Sequence, residues 1–97
     1  MEFFVTETVA RKLKEKHGVR EHEVIECFNN LTTKFAFDTR DANQTNPPSL
    51  WFISETNSGR RLKVVFLRYD KTKVVLKTAF EPNDFEEKLY RSYVEKG

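Results

Sequence analysis

Between Gly59 and Phe80, seven basic side chains (Arg60, Arg61, Lys63, Arg68, Lys71, Lys73 and Lys77) stand against one acid, Asp70. A local balance of +6 in a chain of formal net charge +2 is an electrostatic footprint for an anion, and nucleic acid is the commonest large one. Such residues can support RNA cleavage without a metal. The ribose 2′-hydroxyl attacks the adjacent phosphate, and the protein orients it, stabilises the developing charge and moves protons. Arg60, Arg61, Lys63 and Lys77 are the candidates for charge stabilisation, with Glu55 or His17 as the base. Trp51, Arg61, Lys63, Lys73 and Lys77 form the candidate RNA-contacting set, with Trp51 stacking on a base. Each has a plainer reading. Lysines on a hairpin discourage edge-to-edge pairing, the indole of Trp51 suits packing, and His17 suits the C-terminal end of a helix.

Other chemistries lack their residues. His17 and His22 are five positions apart across a helix break, with no third ligand at metal spacing. The single Cys27 excludes an internal disulfide and a cysteine-type metal site, and reads as core. No glycine-rich phosphate loop or nucleophile elbow is present, so neither a metal nor a cofactor is expected.

Local signals give the elements that must carry these side chains. Thr6 can N-cap a helix through Val9 and Leu13 to His17, ended by Gly18. A second helix spans about Glu21 to Phe28, with Val24, Ile25 and Phe28 as its apolar stripe. The period then changes from helical to alternating. Strands are expected at about 32–38, at Leu50–Glu55, at Arg61–Tyr69 and at Lys73–Phe80. A polar loop from Asp38 to Ser49, the turn Thr56-Asn57-Ser58-Gly59 and the turn Asp70-Lys71-Thr72 join them. Asn83 caps a last helix, with Glu86 placed to complete a capping box.

The fold class is therefore α+β: two N-terminal helices, a four-stranded antiparallel meander and a C-terminal helix, in one domain over residues 1–97. Alternation puts Leu62, Val64 and Phe66, with Val74, Leu76, Thr78 and Phe80, under the helices. It leaves Arg61, Lys63, Lys73 and Lys77 on an open, basic sheet face. The expected core is Val9, Leu13, Val24, Phe28, Leu62, Val64, Phe66, Leu76, Phe85 and Leu89. No apolar run approaches the 18 or so residues that span a bilayer, and the N-terminal residues lack the basic start of a secretory signal. A cytoplasmic protein without a membrane partner is expected.

Lys16-His17-Gly18-Val19, followed by an acidic helix ending in Phe28, resembles the opening of the BrnT family. Gly59-Arg60-Arg61-Leu62-Lys63-Val64-Val65-Phe66 is similar to that family's central hairpin, and the closing helix with Glu87 and Tyr90 continues the likeness. The resemblance implies a RelE-like fold, a type II toxin with metal-independent endoribonuclease activity, RNA as substrate and a cognate antitoxin as partner. Phe80 stands where BrnT-like chains carry an active-surface arginine, which keeps a non-catalytic RNA- or protein-binding module open as the alternative. The stretch Lys77-Thr78-Ala79-Phe80-Glu81-Pro82-Asn83 also resembles small bacterial and phage-borne proteins labelled ADP-ribosyl-(dinitrogen reductase) hydrolases. Enzymes of that name are longer, helical and hold metal with clustered acids, a site that a 97-residue meander does not supply.

Overall fold

Local capping signals set most helix ends in the computed structural model, which describes residues 2–37 and 47–96. The Thr6 hydroxyl accepts from the Val9 N–H at 3.2 Å and starts α1 (Glu7–Lys12). The helix widens into a π-helical stretch over Leu13–His17 and stops at Gly18, whose φ of 60° favours glycine. At the start of α2 (Glu21–Asn30), the Glu23 carboxylate accepts from the Arg20 N–H at 3.0 Å. A reciprocal capping box opens α3 (Asp84–Lys96). Asn83 Oδ1 accepts from the Glu86 N–H at 2.8 Å, and Glu86 Oε1 accepts from the Asn83 N–H at 3.1 Å.

The class is α+β, as expected, but the sheet is not a four-stranded meander. Strands β1 (Glu2–Phe4), β2 (Ala36–Phe37), β3 (Ser49–Glu55), β4 (Arg61–Arg68) and β5 (Lys73–Phe80) form one mixed sheet in the order β1-β5-β4-β3-β2. Neighbours from β2 to β5 are antiparallel; of the expected strand at 32–38, residues 32–37 are described, and among them only Ala36 and Phe37 belong to β2. The segment Phe3–Phe4 enters the sheet as part of β1, parallel to β5, with Phe3 opposite Val74. The turn after β3 forms as expected. The Gly59 N–H donates to the Thr56 carbonyl at 2.9 Å, and φ at Gly59 is 88°. Of the expected loop from Asp38 to Ser49, residues 38–46 lie outside the described residues, and Ser49 already belongs to β3.

A register shift corrects the expected faces of β5. Val65 lies opposite Thr78 but Phe66 lies opposite Leu76, so Lys77 is the extra residue of a β-bulge. Beyond it the alternation reverses. Ala79 joins Val64 on one face, while Thr78 and Phe80 share the other with Val65 and Lys63.

Helices cover both faces, not one. The first face carries Phe52, Val64, Phe66 and Leu76 under α1, its π-helical end and α2. Phe28 of α2 centres an aromatic cluster there, with ring centroids 4.8 Å from Phe52, 5.2 Å from Phe66 and 5.6 Å from Phe3. The second face is roofed by α3, whose Tyr90 and Tyr93 meet Trp51 at 5.4 and 6.1 Å. The expected core holds at Leu13, Val24, Leu62, Val64, Phe66 and Leu76, with Val9 and Phe28 packed against it. It fails at Phe85 and Leu89, which are 71% and 38% exposed. Their helix turns Glu86, Glu87 and Tyr90 inward instead, because the face it covers carries Arg61 and Lys63.

Cys27 is fully buried, and burial, with the Glu23 and Glu26 charges, pushes its thiol up to about 12. A thiolate is the reactive species, so the native protein should react with a disulfide reagent at pH 8 no faster than it opens. Labelling within seconds, before any denaturant is added, would contradict this placement.

Candidate functional site

The hairpin does not present its cations as one open face. Arg60 points to the α1–α2 side and acts as a clamp. Its guanidinium donates to the carbonyls of His17 at 3.0 Å and Gly18 at 2.8 Å, satisfying the end of the π-helical stretch. It also pairs with Glu23 at 3.2 Å and Glu81 at 3.0 Å. Lys63 is only 4% exposed. Its ammonium is 2.7 Å from Glu86 and 4.6 Å from the Trp51 ring centroid, between the sheet and α3. The expectation of Lys63 on a wet sheet face is therefore corrected.

Trp51, 4% exposed, is enclosed by Lys63, Tyr90 and Tyr93, so its indole is not a surface on which a base can stack. The His17 ring lies tilted against Phe80, with centroids 5.6 Å apart, and the Arg60 clamp donates to the His17 carbonyl. Lys77 is exposed at the bulge of β5, and Lys73 lies over the Phe4 ring beside β1.

Two of the sequence candidates do meet. Glu55 at the end of β3 and Arg61 at the start of β4 are cross-strand partners, 3.2 Å apart through Arg61 Nη1. They lie on the wall of a cleft of about 670 Å³ between the end of α2, the β3–β4 turn and α3. Glu87, Tyr90 and Arg91 of α3 line the same cleft. The rim at α2 is tied down. The Asn30 amide donates to the Glu55 carbonyl and to Asn57 Oδ1, both at 2.9 Å, and Glu26 accepts from the Asn57 N–H at 2.9 Å. Tyr90 anchors α3: its hydroxyl donates to the Lys34 carbonyl at 2.7 Å and is 2.6 Å from the Thr33 hydroxyl. Burial raises its pKa above the ordinary tyrosine value, so the phenol stays protonated at neutral pH.

Glu87 completes the site. Its two oxygens accept from Arg61 Nε at 2.7 Å and Nη2 at 2.8 Å, a bidentate fork. Arg61, more than burial, sets its titration, and with Arg91 it holds the carboxyl below the ordinary 4.5. Sequence reasoning missed Glu87 and Arg91 as site residues. Their i, i+4 spacing on a capped helix puts them on one face, but nothing local says that this face meets Glu55 and Arg61.

Burial raises the Glu23 carboxyl, but the Arg20 N–H and the Arg60 guanidinium outweigh it, so Glu23 also ends below 4.5. A carboxylate depressed on folding stabilises the fold above its unfolded value, and that contribution disappears as pH falls through the folded value. Stability should therefore hold from pH 7 to about 5.5 and drop below about 4.5, which urea unfolding across pH will read. Equal midpoints at pH 7 and pH 3 would show that these pairs contribute nothing.

Among the described residues, no helix is long and apolar enough to cross a membrane, and no group of three or more His, Cys, Asp or Glu side chains is placed to hold a metal. No protein-family model matches the chain, and no curated protein sequence matches it significantly.

Proposed function

We propose that the chain is a BrnT/RelE-like toxin-family protein whose cleft takes single-stranded RNA, and that it is a metal-independent endoribonuclease. The observation that carries this reading is the Glu55–Arg61 pair on the cleft wall, with Arg91 lining the same cleft. A carboxylate base beside a guanidinium is the minimal set for transesterification. Glu55, 53% exposed, takes the proton from the 2′-hydroxyl. The 2′-oxygen attacks phosphorus, Arg61 holds a non-bridging oxygen, and the bond to the 5′-oxygen of the next nucleotide breaks. The products are a 2′,3′-cyclic phosphate and a 5′-hydroxyl: the leaving oxygen takes its proton from water, and the hydroxide so formed takes the proton held by Glu55. No histidine is among the described lining residues, and the Tyr90 hydroxyl is engaged with Lys34 and Thr33. Turnover is accordingly slow.

One observation favours the alternative, a non-catalytic RNA- or protein-binding module. Arg61 already holds two carboxylates, Glu55 and Glu87, and Phe80 contributes no charge where the resembling toxins carry an arginine.

A salt series separates the readings. Wild type should bind a short single-stranded RNA at low salt. Arg61→Ala and Arg91→Ala should each flatten the slope of log affinity against log salt by roughly 0.7, the change expected when one phosphate is no longer neutralised. Binding with slow cleavage in excess chelator supports the enzyme, provided that Glu55→Gln abolishes the cleavage. Binding with no cleavage supports the module. No binding even at low salt removes RNA as the ligand.

A further inference from the structure

We infer that Glu87 is an internal stand-in for phosphate, occupying the Arg61 fork that an RNA phosphate takes and so setting the affinity of the cleft. The inference rests on RNA as the ligand of that cleft. Two parallel N–H···O bonds at 2.7 and 2.8 Å are the way a guanidinium holds a phosphate as well as a carboxylate. Glu55 does not compete in the same way. It meets Arg61 through one nitrogen, at 3.2 Å, and leaves the Nε–Nη2 edge to Glu87. A phosphate that enters must displace Glu87 from that edge or bind in a poorer geometry.

The displaced carboxylate has somewhere to go. Arg91 lies one helical turn further on, lines the same cleft and already acts electrostatically on Glu87. An acid four residues before a base is the favourable order for such a pair. Glu87 thus has two cations near it, Arg61 of β4 in direct contact and Arg91 within its own helix. The exchange costs little because both arrangements keep the carboxylate paired. An incoming anion would also feel the negative charge of Glu87 at close range, which removal of that charge relieves.

The test compares Glu87→Gln, Glu87→Asp and Glu81→Gln with wild type for binding a short single-stranded RNA at low salt. Glu81 is a charge-matched control, since it pairs with Arg60 at the clamp by His17 and Gly18. Glu87→Gln should bind about fivefold tighter than wild type, the upper range for removal of one exposed ion-pair competitor. Glu87→Asp keeps the charge but shortens the reach, and should tighten binding by a smaller factor. Glu81→Gln should stay within about twofold of wild type. Wild-type binding with no gain in either Glu87 variant overturns the stand-in while leaving RNA as the ligand. An equal gain in Glu81→Gln also overturns it, since net charge alone would then explain the effect. No binding by any of the proteins overturns both.

Discussion

Phe66→Ala is expected to cost about 3–5 kcal/mol, a large part of the 5–15 kcal/mol that holds a typical domain folded. The side chain is fully buried on β4 and meets rings from three other parts of the chain. Its centroid is 4.9 Å from Phe35, 5.2 Å from Phe28 and 6.0 Å from Phe52. Removing it deletes a set of edge-to-face interactions and leaves a cavity against strands that are hydrogen-bonded on both sides and cannot collapse into it. Urea unfolding should show a much lower midpoint with an unchanged slope. A cost below about 1 kcal/mol would mean that the ring cluster is loosely packed.

Lys63→Met is expected to destabilise by about 3 kcal/mol, although methionine is nearly isosteric and more apolar. The Lys63 ammonium lies 2.7 Å from the Glu86 carboxylate, and the two side chains are 4% and 15% exposed. Deleting the cation leaves that carboxylate short of the ammonium in a place where water does little to solvate it. The double variant Lys63→Met/Glu86→Gln should recover part of the loss, because a neutral amide can still accept from the Asn83 N–H as the carboxylate does. Thermal unfolding of the two single variants and the double variant closes the cycle. If Lys63→Met were as stable as wild type, the pair would add no stability beyond what methionine supplies.

Short-range signals were legible in the residues, and long-range ones were not. Thr6, Gly18 and Asn83 act within five positions of themselves, so those three helix ends could be placed from the chain alone, while α2 runs through Asn30, past the expected Phe28. The bounds of β5 were also clear, but the bulge at Lys77 was not, because a bulge is a relation between two strands. Lys63 alternates with Val64 like any exposed strand lysine, and its partner Glu86 lies 23 positions away on α3. Phe85 and Leu89 form a convincing apolar stripe on a helical wheel. The helix nevertheless faces the sheet with its glutamates, since desolvating Lys63 without an anion would cost more than exposing a phenyl ring. At the cleft, Glu55 and Arg61 were legible as separate candidates on the two sides of one hairpin turn, whereas their pairing, and the entry of Glu87 and Arg91 with α3, come only with the fold.

The parallel pairing of β1 with β5 also bears on the order in which the chain can assemble. Glu2 lies opposite Lys73, so the two strands that meet are the first and last of the sheet in sequence. Closing so long a loop has an entropic cost that grows only as the logarithm of its length, but it must be met before the pairing rewards it. The β3–β4 and β4–β5 hairpins can form locally, as their turns emerge. On a ribosome, Glu2–Phe4 would wait without a strand partner until Lys73–Phe80 had cleared the exit tunnel. Until then β1 has no strand partner, so from the emergence of β1 to that of β5 its edge is open to other chains.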